Sequence, residues 1–132
     1  MRYSDTIKEL FNTFPDIVSR YKIRIAELYA EENPHVLYGS IFVDYIHSAR
    51  GELEGLDHLE NKKILDQSFS YLEKLLSSSD FQTRCLGETS VLEALLGDEG
   101  GLERYAVFMG PETKRIAREI ARNWDLDVGP LS

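Results

Sequence analysis

One segment of this sequence carries two apolar stripes side by side. After Asp57, the residues Leu65, Phe69, Leu72 and Leu76 recur at helical spacing, and Ile64, Tyr71 and Leu75 form a second stripe beside them. A helix that is apolar on two sides is packed on two sides. The chain must therefore wrap other helices around this one, and the spacing predicts it as the central helix of a single core. With 132 residues, the chain is long enough for one such core and short for two.

The flanking segments repeat the helical period. Ser4 or Thr6 can cap a first helix bearing Ile7, Leu10, Phe11 and Phe14, and Thr6 with Glu9 has capping-box spacing. Pro15 suits a new first turn, after which Val18, Tyr21, Ile25 and Leu28 share a face. Asn33 and Pro34 then read as N-cap and first helical residue. The next helix places Phe42, Ile46, Ala49 and Leu53 on its apolar stripe, with Ser40, Asp44 and His47 on the other side. Strand propensity in Ile41, Phe42, Val43 and Tyr45 makes residues 37–46 the one rival for a strand, but the longer period favours helix.

Capping-box spacing appears again at Asp57 with Glu60 and at Ser79 with Gln82. The helix opened by Ser79 would face inward through Phe81, Cys85, Leu92, Leu95 and Leu96 and end at Gly97. A glycine-rich loop leads to a short helix with Leu102, Tyr105, Ala106 and Phe108. Gly110-Pro111 opens the last helix, with Ile116, Ala117, Ile120 and Trp124 inward. The expected architecture is all-α: a compact bundle of about six to seven helices in antiparallel pairs, or stacked αα-hairpins of the HEAT kind. It forms one domain over residues 1–132, with a frayed tail from 125 to 132.

Chemistry-bearing motifs are scarce. His35, His47 and His58 lie apart with no metal-ligand spacing, and the single cysteine, Cys85, falls on an apolar face with an acid, Glu88, one turn away where a nucleophile would want a base. No Gly-x-Ser-x-Gly elbow or phosphate-cradling loop occurs. The expectation is a protein without catalytic residues, metal or cofactor. No stretch has the length or apolarity of a membrane span or secretory signal, so a cytoplasmic location is expected.

Charge is more informative. The formal net charge is −8, which opposes both phosphate backbones and anionic membranes and suits a basic protein partner. No Lys or Arg occurs between Arg24 and Arg50, while Glu27, Glu31, Glu32 and Asp44 do. Glu52, Glu54, Asp57 and Glu60 follow, then Glu88, Glu93, Asp98, Glu99 and Glu103. Bases gather instead at Arg20, Lys22 and Arg24, and at Lys114, Arg115, Arg118 and Arg122. Helix-dipole matching explains Asp57, Glu60 and Arg122 but not Glu52, Glu54 or Glu93. Glu88 can pair with Arg84 one turn earlier, and the arginine stripe of the last helix, interrupted by Glu119, reads as a solvated face. Tyr38 and Tyr45 are the candidate exposed tyrosines among the acids, whereas Tyr71 and Tyr105 point into the core.

Three stretches, Asn33 to Gly39, Ser90 to Leu95 and Tyr105 to Thr113, resemble a family of small, acidic, all-helical bacterial proteins of uncharacterised function. That family looks like the immunity proteins encoded beside polymorphic or contact-dependent growth-inhibition toxins. The resemblance covers most of the chain, and its motifs are structural rather than catalytic. It implies a protein that neutralises a cognate toxin, a basic nuclease fitting the charge, by covering its active surface. Under that implication the partner contacts are Asp44, Glu52, Glu54, Glu88 and Glu93, with Tyr38 and Tyr45 as anchors and His47 beside them. The alternative is a helical-repeat adaptor that binds another protein and has no catalytic activity.

Overall fold

The computed structural model describes residues 1–29, 33–51 and 58–131, and no strand occurs among them. A short 3₁₀ turn, Tyr3–Asp5, leads into α1 (Thr6–Thr13). Pro15 then opens α2 (Pro15–Arg20), and the chain continues into α3 (Lys22–Tyr29). The second inward stripe begins one residue earlier than expected: Ile17 is buried, while Val18 is exposed. Thr6 is no cap; its hydroxyl donates to the Tyr3 carbonyl at 2.7 Å, closing the 3₁₀ turn.

Asn33 caps the next helix as expected, its side-chain oxygen accepting the N–H of His35 at 3.0 Å, with Pro34 at the first helical position. The helix runs from α4 (Pro34–Leu37) through a π-helical turn, Tyr38–Phe42, into α5 (Val43–Gly51). The segment is helical throughout, which removes the strand alternative. Phe42, Ile46 and Ala49 are buried as expected; Leu53, the capping aspartate Asp57, and Glu31 and Glu32 lie outside the described residues.

The central helix is α6 (His58–Leu76), and both of its stripes face the core: Leu65, Phe69, Leu72 and Leu76 are buried on one, Tyr71 and Leu75 on the other, where Ile64 is half-buried. It packs against α5 and against a second interrupted helix, made of α7 (Phe81–Cys85), a π-helical turn at Leu86–Leu92 and α8 (Glu93–Gly97). Here Asp80 rather than Ser79 is the N-cap. Phe81 is exposed and Cys85 only half-buried, because the wide turn takes up an extra residue and shifts the stripe. Thr83, Leu86 and Gly87 face inward before that shift, and Val91, Leu92, Leu95 and Leu96 after it.

Gly100 reverses the chain in the left-handed region at φ 71°, which an L side chain rarely adopts. Gly101 sits against the Leu95 carbonyl with no room for a Cβ. Then come α9 (Gly101–Tyr105), a 3₁₀ turn at Ala106–Phe108, and α10 (Pro111–Asn123). Ile116, Ala117 and Ile120 of α10 are buried, but Trp124 is 42% exposed. The last turn, Gly129–Leu131, is not frayed: Leu131 is fully buried, and Arg118 donates to its carbonyl at 2.8 Å. Apolar burial outweighs the entropy of ordering this short segment.

The two π-containing helices lie side by side and run in the same direction. Gly39 faces the Ser90 carbonyl near one end, and His47 meets Asp98 near the other. The antiparallel α6 packs against both. The result is a compact all-α fold in which one long helix holds two interrupted ones, and the pairing leaves the outer stripe of 34–51 at the surface.

Candidate binding surface around His47

The outer stripe of 34–51 is the one the periodicity marked: Ser40, Asp44 and His47. Each is tied to another element. Arg24 of α3 donates to the Ser40 carbonyl at 3.1 Å. The Tyr21 hydroxyl donates to Asp44 Oδ2 at 2.8 Å. Burial, and then the Asp44 hydrogen bond, push the Tyr21 phenol up to about 12, so it is a donor at neutral pH.

His47 is held on both ring nitrogens. Its Nδ1 lies 2.6 Å from the Tyr105 hydroxyl and its Nε2 lies 2.8 Å from Asp98 Oδ2. Tyr105 is buried beneath it, its ring tilted against that of Phe69. Desolvation raises the Tyr105 phenol to about 12, with Arg104 and Arg50 opposing that rise and Asp98 adding to it. A phenol so far from ionisation is a hydrogen-bonding group, not a nucleophile. The Asp98–His47–Tyr105 chain therefore fixes the imidazole in place between the end of α8 and α9.

Two open clefts meet at His47. One, about 380 Å³, is bounded by Arg24, Glu27, Ser40 and Asp44. The other, about 340 Å³, is bounded by Arg50, Gly51, Arg104 and Tyr105. Glu27 of α3, Asp44 of α5 and Asp98 after α8 thus come from three separate acidic stretches to one ledge. Periodicity marked Asp44 and His47 but had no signal for Asp98 or Tyr105, which reach His47 from more than fifty residues away.

The remaining expected contacts fall elsewhere. Tyr38 is 0% exposed and Tyr45 is 3% exposed, so neither can anchor a partner. Tyr38 donates to the Thr6 carbonyl at 2.7 Å and lies 2.8 Å from the Tyr71 hydroxyl; Tyr45 donates to Asp16 at 3.3 Å. Their hydroxyls find partners on distant segments, which allows burial. Tyr71 and Tyr105 are buried as expected. Glu52 and Glu54 lie outside the described residues. Glu88 and Glu93 are half-buried, and Glu88 is close enough to Arg115 of α10 to act on its charge. Arg84 forms no ion pair with Glu88 among the described residues; it donates to the Ser78 carbonyl at 2.8 Å and lies over the Phe81 ring.

Other polar pairs hold the fold. His35 Nδ1 and Ser90 Oγ are 2.5 Å apart across the two π-containing helices, but no carboxylate orients the far ring nitrogen among the described residues. Among those residues, no group of three or more His, Cys, Asp or Glu side chains converges in a way that could hold a metal ion. None of their helices is long and apolar enough to cross a membrane.

Residues 7–125 match a family described as Domain of unknown function (DUF7674). The chain belongs to this family. The match runs from α1 to the end of α10, so the ledge around His47 lies inside the family's domain. No curated protein and no solved structure matches the chain.

Proposed function

We propose that this DUF7674 protein is a binding protein that neutralises a basic protein partner, acting as an immunity protein against a toxin domain. A nuclease fits the charge best, because its substrate groove must be positive. The observation that carries the reading is the meeting of Glu27, Asp44 and Asp98 around His47 on an open ledge. Carboxylates presented on a rigid helical frame can lie where phosphates would lie in such a groove. The net charge of −8 would also speed encounter with a cationic partner.

Ion pairing within the chain engages few of the described acids, although Asp98 is held by His47 and Asp44 by Tyr21. Among the described residues, ion pairs engage only Asp66, Asp98, Glu112 and Glu119 of the acids. Arg24 and Arg118 bond backbone carbonyls, and Arg20 lies over the Tyr21 and Tyr45 rings. Tyr21, half-buried and bonded to Asp44, takes the place of Tyr38 and Tyr45 as the tyrosine at the ledge. The reading needs no catalytic group, and a cytoplasmic location suits it.

The test is co-expression with the product of the neighbouring gene, followed by co-purification and a growth-rescue assay. Rescue by the intact chain, weakened when Glu27, Asp44 and Asp98 are replaced together by Lys, is the expected result. Stable binding to a non-toxic partner would replace immunity by the adaptor alternative. Rescue unaffected by the triple replacement would sink the site assignment.

A further inference from the structure

We propose that the cleft between the end of α5 and α9 binds a phosphoryl dianion, with the guanidinium groups of Arg50 and Arg104 as its two cationic walls. The sequence makes this pair conspicuous: Arg50 ends the long run without a base that begins after Arg24. The fold then brings it to the same 340 Å³ cleft as Arg104, fifty-four residues later, with His47 and the Tyr105 ring completing the lining.

Three observations favour an anion there. First, Arg50 Nε is buried with no hydrogen-bond acceptor among the described residues. The Nε itself lies out of a ligand's reach, but among these residues the fold supplies no acceptor there that neutralises this guanidinium. Second, Arg104 forms no ion pair among the described residues, although the protein carries a large excess of carboxylates. Third, both guanidinium groups lie close enough to the Tyr105 phenol to act on it, as Asp98 does with the opposite sign. Two guanidinium forks match the charge and the oxygen geometry of a phosphoryl dianion, whereas a single carboxylate needs only one.

The cleft also limits the ligand. A volume of 340 Å³ lies at the small end of ligand sites. It admits inorganic phosphate or a phosphoryl group on a small molecule. A nucleic-acid strand is disfavoured by the acidic ledge on the other side of His47. The Asp98–His47–Tyr105 chain positions the cleft wall, and Asp98 itself does not line the cleft. The inference concerns the free protein and does not depend on the partner reading, so either can fail alone.

The experiment is an NMR titration of the free protein that follows the Nε–Hε signals of its arginines. Inorganic phosphate is the first probe, and a nucleoside monophosphate and a sugar phosphate are the second and third. Saturable shifts at Arg50 and Arg104 in the millimolar range or tighter are expected. Each of Arg50→Gln and Arg104→Gln should weaken binding about tenfold, with Arg122→Gln as the control that leaves it unchanged. Tighter binding of an ester than of inorganic phosphate would assign a phosphorylated small molecule; equal or weaker binding would assign free phosphate. Absence of saturation in all three arms, or equal shifts at Arg122, would overturn the proposal. Retained amide spectra in the Gln variants guard against loss of fold being mistaken for loss of binding.

Discussion

Glu73 and Thr113 are joined by two hydrogen bonds: Glu73 Oε1 accepts the Thr113 backbone N–H at 2.8 Å and its hydroxyl at 2.7 Å. The other carboxylate oxygen accepts the N–H of Glu112 at 2.9 Å. A side chain of α6 thus caps α10, whose own N-cap, Gly110, has no side chain to do so. The first N–H groups of a helix otherwise lack partners, and a carboxylate there also meets the positive end of the dipole. Glu73→Ala should cost about 2 kcal/mol in chemical denaturation. A Cβ at Gly110 would come 2.7 Å from the Glu73 carboxylate carbon, so Gly110→Ala should act largely by pushing that carboxylate away. The two losses should then be clearly less than additive in a double-mutant cycle. Full additivity would show that Glu73 does not act as the cap.

The buried hydroxyl of Tyr38 gives a second prediction. It joins α4–α5, α1 and α6 through the Thr6 carbonyl and the Tyr71 hydroxyl. Tyr38→Phe keeps the ring packing against Phe42 but removes a buried donor, and should cost about 1–3 kcal/mol. Tyr71→Phe leaves the Tyr38 bond to Thr6 intact and should cost less. Equal losses by thermal denaturation would count against this order.

These two cases also mark what the sequence could reveal. The double stripe of Leu65, Phe69, Leu72 and Leu76 with Tyr71 and Leu75 is a short-range pattern, and it placed α6 at the centre correctly. Asn33-Pro34 worked for the same reason, since cap and helix start are neighbours. Tyr38 and Tyr45 misled because a tyrosine fits either side of a surface, and the partners that let it be buried are remote: Thr6, Tyr71 and Asp16. Glu73 capping Thr113, and Asp98 reaching His47, are equally remote pairings that periodicity cannot register. The π-helical turn at Leu86–Leu92 hid the true inward stripe, because its added residue breaks the regular helical phase. Leu131 was lost in a tail of Gly, Pro and Asp, although Val128 and Leu131 together are enough to dock it.

Acid should release the N-terminal segment through Asp80. Its carboxylate accepts from the Thr83 hydroxyl at 2.7 Å and from the Tyr3 N–H at 2.7 Å. The Thr83 bond first, and the Tyr3 bond second, hold the Asp80 carboxyl below its ordinary range. A carboxyl whose folded pKa lies below its unfolded value contributes stability above the unfolded pKa, near about 4. That contribution is lost as pH falls through the lower, folded value. Thermal denaturation across the acid range should therefore show part of its pH slope vanish in Asp80→Asn. Hydrogen exchange near Tyr3 should rise in the wild type over the same interval. An unchanged slope would remove Asp80 from the account.

The end of the described chain should be more than an appendage. Leu131 is fully buried, and Arg118 holds its carbonyl. Leu131→Ala should cost about 2–5 kcal/mol, as for other fully buried leucines, and Arg118→Ala should cost less. The measurement is again denaturation, with limited proteolysis to locate the opened segment. A Leu131→Ala protein as stable as the parent would return the tail to a frayed state in solution.

The glycines of the two π-helical turns should respond in opposite ways. At Gly39 a Cβ would stand 3.6 Å from the Ser90 carbonyl oxygen, an ordinary contact. Gly39→Ala then reduces the freedom of the unfolded chain without a clash and should be neutral or stabilise by up to about 1 kcal/mol. At Gly87 a Cβ would stand 3.1 Å from both Leu75 Cβ and Leu76 Cδ2 of the central helix. Those leucines are buried and cannot turn away without moving α6. Gly87→Ala should therefore destabilise by about 1–3 kcal/mol through overpacking. The sign is set by whether the neighbour is a carbonyl at ordinary contact distance or the packed flank of α6. If both substitutions stabilise the protein, the approach of the second π-helical turn to α6 is looser than the structure has it. If both destabilise it, the contact between the two interrupted helices at Gly39 is the tighter one, and the pairing that places His47 beside Asp98 depends on it.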